Sequence, residues 1–345
     1  MKKILQCLMS LEIGGAETHV VELSKELVSR GYDVMVASNG GAYTKELIDG
    51  GVKVVTIPMH SKKPQFVLKS LSKLNKTLKE YNPDIVHAHA RIPALYASVF
   101  EKKFKFRMIT TVHGKFKTNW LLKRITQWGN EIFVVSDDIR TYLLENYPVE
   151  SAKIFKTING IDTNRFNRET IQYPYSEIIH VSRLDGSTSK TAELLIRYAQ
   201  ETGINLRVVG DGTRFDGLKS LAGDFSNINL TGASYQVEKE LMKSDIFVGI
   251  SRAALEAMSM NMPVVLAGDY GMLGVIETPE KLELAKQDNF TARNGQSLEY
   301  YGLMKEIEKL LEMDPKNFNW QREFVKEHHS LRKMVDDYEQ VYKND

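Results

Sequence analysis

Residues Ser244–Gly271, SDIFVGISRAALEAMSMNMPVVLAGDYG, decide the fold. DIFVGI is a short apolar run of strand type. Gly249 and Ser251 allow a turn. ALEAM then reads as a helix with one acidic residue, Glu256, near its start. PVVLAG reads as the next buried strand, and Asp269–Gly271 as a glycine loop. A strand-to-helix turn points backbone N–H groups, and the positive end of a helix dipole, into the crevice beyond the strand. A phosphate fits there. A carboxylate one turn further in suits the two hydroxyls of a ribose. The competing reading is an ordinary helix whose glutamate is solvated.

The same alternation runs outward in both directions. Towards the N-terminus, KKILQCLMS, DVMVAS, VKVVTIP, DIVHAHA, RMITTVHG and EIFVVS read as strands. Between them lie GGAETHVVELSKELVSRG, with Val20, Leu23, Leu27 and Val28 on one face, and PQFVLKSLSKLNKTLKEYNP, with Val67, Leu71, Leu74 and Leu78 at helical spacing. The pattern restarts near residue 175 with EIIHVSRL, INLRVVGDG and INLTGA. The polar stretch KTINGIDTNRFNRETIQYPYS, with its turn-forming Asn-Gly, marks the boundary. The expected class is therefore α/β: two doubly wound, Rossmann-like domains, residues 1–165 and 166–324, facing across a cleft. A helix at about 325–345 is expected to return to the first domain, its stripe including Leu331, Val335, Tyr338 and Val341. Ligands bind at the carboxyl ends of such sheets, which favours an enzyme acting on a large, two-part substrate.

Composition narrows the classes. A chain of 345 residues, 42% hydrophobic and 26% charged, fits a soluble globular protein. One cysteine, Cys7, excludes a disulfide framework and fits a reducing cytoplasm. No apolar run reaches the roughly 18 to 20 residues of a transmembrane helix. The opening MKKILQCLMSLEIGG is interrupted by Gln6 and Glu12, so it reads as a first strand rather than a leader. Charge is uneven. Residues 1–165 carry 25 Lys and Arg against 16 Asp and Glu, whereas 166–345 carry 21 against 28. The first half therefore faces something anionic. Lys69, Lys73, Lys76 and Lys79 border one helix, and the acid-free stretch 102–130 interleaves cations with Phe104, Phe106, Phe116 and Trp120. That pattern points to an anionic membrane surface at the inner face of a cell membrane. Nothing points to nucleic acid.

Several residues carry candidate chemistry. Gly15, in GGAE after the first strand, lets a phosphate approach the backbone. The motif is not G-x-G-x-x-G, which argues against a dinucleotide cofactor. His87, His89 and His113 lie at strand ends. Two histidines without a third ligand are poor evidence for metal. His113 before Gly114 is placed to meet substrate, whereas at least one of the other two reads as structural. Arg183 and Lys190, heading the second sheet, suit a diphosphate and would neutralise a leaving group. Gly212, in GDG, could border a base.

GGAETHVVELSKEL, PDIVHAHA, TVHG, TINGIDTNRF, SRLDGSTSK, VVGDG and ALEAM…PVV together resemble, in order and over nearly the whole chain, the GT4-type retaining glycosyltransferases of the GT-B fold. The resemblance implies transfer of a sugar from a nucleotide diphosphate donor, UDP-linked, to a glycan or lipid-linked acceptor in bacterial surface polysaccharide synthesis. It implies retention of the anomeric configuration, and neither metal nor cofactor. By position, Arg183 and Lys190 look like the pair that grips the diphosphate, Glu256 like the ribose-binding glutamate, His113 like the histidine near the sugar, and Gly15 like a backbone donor. Gly249, Ser251 and Arg252 line the same turn. Two departures stand out. Val248 occupies the position of the family's first glutamate, which contacts the donor sugar. Arg183 and Lys190 are seven positions apart, against the usual five or six. The lost glutamate leaves a non-catalytic relative as an alternative; a UDP-sugar epimerase on the same fold is a second.

Overall fold

The structure is a computed structural model that describes residues 1–186 and 188–344. Two compact units form. One comprises Met1–Gly160 and the segment from Leu331, and the other Ile161–Ser330. The change of unit thus falls after Gly160, five residues before the expected boundary. Residues 325–330 stay with the second unit, where Val325 is fully buried. The tail is helical as expected, in two pieces, Trp320–His328 and Leu331–Tyr342, of which only the second joins the first unit.

The first unit holds seven strands: β1 Lys3–Cys7, β2 Asp33–Ser38, β3 Lys53–Thr56, β4 Ile85–Ala88, β5 Arg107–Val112, β6 Glu131–Val134 and β7 Ile154–Lys156. All pair in parallel, in the order β3-β2-β1-β4-β5-β6-β7. Helices cover both faces, so central strands such as Ile4–Cys7 and Ile85–Ala88 are buried throughout. Burial on both faces is why these strands read as continuous apolar runs. On one face the Gly15–Ser29 helix and the Leu331–Tyr342 helix share a core that includes Leu23, Leu27, Val335 and Tyr338. On the other, Leu74 and Leu78 of the Pro64–Tyr81 helix pack on Leu5 and Val86.

The second unit repeats the topology with β8 Glu177–Val181, β9 Asn205–Val209, β10 Ile228–Gly232, β11 Ile246–Gly249, β12 Val264–Gly268 and β13 Gly271–Val275. The order is β10-β9-β8-β11-β12-β13. The segment expected as a glycine loop is instead a hairpin turn, since β13 returns antiparallel to β12. In each sheet the order reverses once, between β1 and β4 and between β8 and β11. Such reversals open a crevice at the carboxyl ends of the two strands.

Candidate functional site

The sequence motifs fall at these two crevices. In the first unit, Gly14 and Gly15 follow β1, His89 follows β4 and His113 follows β5. Gly15 starts the Gly15–Ser29 helix and is exposed, and a Cβ there would meet no atom within 4 Å. The protein's own packing does not demand this glycine.

The histidines form a buried cluster. His89 Nε2 bonds Gln6 Oε1 at 2.7 Å and His89 Nδ1 bonds His113 Nε2 at 3.1 Å. His87 Nδ1 meets the Tyr342 hydroxyl at 2.5 Å, and its Nε2 meets Thr111 Oγ1 at 2.7 Å. Thr111 continues to the Tyr338 hydroxyl at 3.0 Å, which reaches His19 Nε2 at 2.8 Å. The His19 and His113 rings meet edge to face at 4.9 Å. Burial holds His87 and His89 well below the usual imidazole range and pushes His113 down to about 4. These rings are neutral at pH 7. His87 and His89 are structural, bonded at both nitrogens. His113 is half-buried, and its Nδ1 has no hydrogen-bond partner among the described residues. Sequence reading did not place Gln6, His19, Tyr338 or Tyr342 in a cluster with these histidines. A glutamine centred in the apolar strand KILQC was the available signal.

In the second unit, Arg183 lies two residues past β8, exposed, and its side chain bonds no other described residue. Lys190 opens the Lys190–Thr202 helix, and its ammonium donates to the Leu298 carbonyl at 2.6 Å. Asp269, in the turn between β12 and β13, caps that helix. Its carboxylate accepts from the Lys190 N–H at 2.9 Å and the Thr191 N–H at 3.0 Å. Gly210 and Gly212, with φ of 148° and 156°, answer to packing, because a Cβ would fall 1.8 Å from the Ser182 carbonyl oxygen and 2.5 Å from the Leu184 carbonyl. That contact suffices to explain the GDG motif. Gly249 is likewise buried, its missing Cβ directed 2.7 Å from the Phe247 ring.

Ser251, at φ 60°, starts the Ser251–Ser259 helix. Its N–H is not open to a ligand as expected, for it donates to the Phe290 carbonyl at 2.6 Å. Glu256 is also not solvated. Arg252 Nε donates to Glu256 Oε1 at 2.9 Å, with both side chains 8% exposed. Val248 lies inside β11, fully buried and in register with Val265. Only Ile250 separates β11 from the helix.

A recess of about 750 Å³ lies elsewhere, near the amino ends of β5 and β6, lined by Glu101, Lys123, Arg124, Trp128 and Lys153 among others. Among the described residues no group of three or more His, Cys, Asp or Glu is placed to hold a metal ion.

Two family models match this pair of units: Glycosyltransferase Family 4 over residues 13–165, and Glycosyl transferases group 1 over 176–295. The chain belongs to the family 4, group 1 glycosyltransferases. This glycosyltransferase is 26% identical over 297 residues to the O-antigen biosynthesis glycosyltransferase WbnH of Escherichia coli, covering 80% of this chain and 84% of that one. Its fold is GT-B. A glycosyltransferase from Rickettsia africae superposes with a TM-score of 0.76 at 20% identity, over 99% of this chain and 98% of that one. The Anabaena protein HepE, in complex with UDP-glucose, gives 0.76 at 15% identity over 100% of each chain.

Proposed function

We propose that this glycosyltransferase moves a sugar from a UDP-linked donor to a glycan or lipid-linked acceptor of a bacterial surface polysaccharide, retaining the anomeric configuration and using no metal. The observation that carries the reading is Arg183. It is an exposed cation two residues past the carboxyl end of β8 whose side chain bonds no other described residue, whereas the nearby Lys190 and Asp269 are bonded internally. A diphosphate leaving group supplies the missing partner. Lys190 stands beside it and assists by exchanging the Leu298 carbonyl for a phosphate oxygen. Glu256 takes the ribose hydroxyls, and Gly212, Gly249, Ser251 and Arg252 border the nucleotide. In the first unit, Gly15 offers its amide and His113 meets a sugar hydroxyl. Catalysis is then positioning plus neutralisation of the departing diphosphate, with the acceptor hydroxyl attacking from the face the leaving group vacates.

The test is an assay of nucleotide sugars with and without acceptor, with the product anomer read by NMR. Transfer with retention, undiminished by EDTA, is expected. Epimerised donor would replace the reading by an isomerase, and neither product by a non-catalytic role. Loss of activity in EDTA, restored by a divalent ion, overturns the metal-free part.

The membrane reading takes a narrower form. Phe106 is buried, while Phe104 and Phe116 pack inward, so they do not form the expected aromatic surface. Trp120 remains, 72% exposed, with Leu121 and Ile125 exposed on the same short helix. Lys117 and Arg124 are exposed beside them. This apolar tip among cations suits an anionic lipid surface. Co-sedimentation with anionic but not neutral vesicles, lost at high salt, is expected. Equal recovery in the supernatant with both lipids at low salt refutes it. No helix among the described residues is long and apolar enough to cross a membrane.

A further inference from the structure

The buried chain from Gln6 through His89 to His113 has a direction. Gln6 Oε1 faces His89 Nε2 at 2.7 Å, and a carbonyl oxygen only accepts. The hydrogen of the neutral His89 ring therefore sits on Nε2. His89 Nδ1 is left as an acceptor, and the group 3.1 Å from it is His113 Nε2. That nitrogen must be the donor. One hydrogen per neutral ring then leaves His113 Nδ1 with a bare lone pair, at the carboxyl end of β5, partnered by no described residue. Gln6 comes from β1, His89 follows β4 and His113 follows β5, three adjacent strands whose spacing the sheet fixes.

We infer that Gln6 and His89 are positioning residues: they hold His113 as the Nε2–H tautomer, so that its Nδ1 presents a hydrogen-bond acceptor to a sugar hydroxyl. The inference rests on the sugar-contacting role given to His113 above. His113 then acts through its lone pair, accepting from a hydroxyl, and not as a charged acid. Burial supports this, because protonation of any ring in the cluster places a cation against its neighbours. Among the described residues, the titratable groups in contact with these rings include His87, His19, Tyr338 and Tyr342. If the Gln6 amide were turned over, its NH₂ would face His89 and the whole chain would reverse. The tautomer of His113 therefore reports the direction.

The experiment is ¹⁵N NMR of ring-labelled histidines in the full chain, with His113 assigned by the signals lost in His113→Gln. Wild type is expected to show His113 protonated at Nε2 and bare at Nδ1, unchanged from pH 8 to about 5. A dominant Nδ1–H form, or an average of both, overturns the inference. Gln6→Leu removes the acceptor. It is expected to blur the tautomer and to lower kcat about tenfold, with donor KM less affected. A sharp, unaltered tautomer in Gln6→Leu also overturns the inference. If Gln6→Leu does not fold, the wild-type spectrum decides alone. Absence of transfer with every donor would remove the proposed function while leaving the spectral answer intact.

Discussion

Arg183 and Glu256 carry the same kind of assignment, yet their surroundings predict opposite outcomes on substitution. Arg183 is exposed and bonds no other described side chain, so Arg183→Ala has nothing to destabilise. Charge grows on the diphosphate as the glycosidic bond breaks, so the loss appears in the transition state. A fall in kcat of about 100-fold is expected with unchanged urea unfolding. Activity within a few-fold of wild type removes the assignment. Glu256 is paired with Arg252 at 2.9 Å in a nearly closed environment. Glu256→Ala removes the carboxylate paired with a buried guanidinium, and breaking such a pair costs about 3–5 kcal/mol. A weakened donor site in that variant would be confounded by instability. Glu256→Gln keeps an oxygen for Arg252 Nε and removes only the charge. Donor KM is expected to rise with little change in kcat, because a ribose contact serves ground and transition states alike. An unchanged KM in a folded Glu256→Gln protein sinks the ribose role.

Helix starts show what a sequence pattern conveys and what it hides. The Ser251–Ser259 helix was legible from its apolar spacing, but the left-handed Ser251 and its bond to Phe290 were not. The partner lies on a loop where Asn289, Phe290 and Ala292 are also left-handed, with φ of 58° to 59°. Nothing local to residues 244–256 announces it. Left-handed geometry costs a non-glycine residue about 1–2 kcal/mol. Ser251→Gly is therefore expected to raise stability by about 1 kcal/mol, and Ser251→Val to lower it, both measured by urea unfolding. A destabilised Ser251→Gly would show that the hydroxyl, not the backbone, is what matters there. The same locality explains the other misses. β13 follows a two-residue turn and carries two glycines, so it has no strand pattern. Both C-terminal helices are amphipathic, and periodicity does not say which core each one enters. The histidines were visible as residues, but His87 is held by Tyr342, 255 positions away, and Asp269 caps a helix 79 positions away. Turns, glycines and exposed cations are written locally, whereas hydrogen-bond networks between distant elements are not.

Across the molecule, buried imidazoles are divided unequally, and acid should expose the difference. Burial lowers His87, His89 and His113 in the first unit and His180 in the second. Each folded ring stays neutral while its unfolded counterpart takes a proton near pH 6.5. Below that pH the unfolded chain binds more protons, so stability falls as pH drops from about 6.5 towards 4. Asp337 opposes this. Burial raises it to about 6, so the folded form binds its proton first and gains stability over the same range. Four lowered histidines oppose one raised carboxyl, so the net effect of acid is a loss of stability. Asp337 and three of the four histidines lie in the first unit, and His87 and His89 there are held well below the usual range, so that unit carries the larger acid sensitivity. Units with separate cores need not unfold together. On acidification the first unit is expected to unfold at lower urea than the second. Tryptophans report them separately, with Trp120 and Trp128 in the first unit and Trp320 in the second. In variants keeping only Trp128 or only Trp320, the two midpoints should separate at pH 5 by more than at pH 7.5. Replacing His87 by Gln, where the variant folds, should reduce the pH slope of the first transition by about one proton. Midpoints that do not move between pH 7.5 and 5, or a Trp320 transition that falls faster, would mean the cluster is not held neutral by burial.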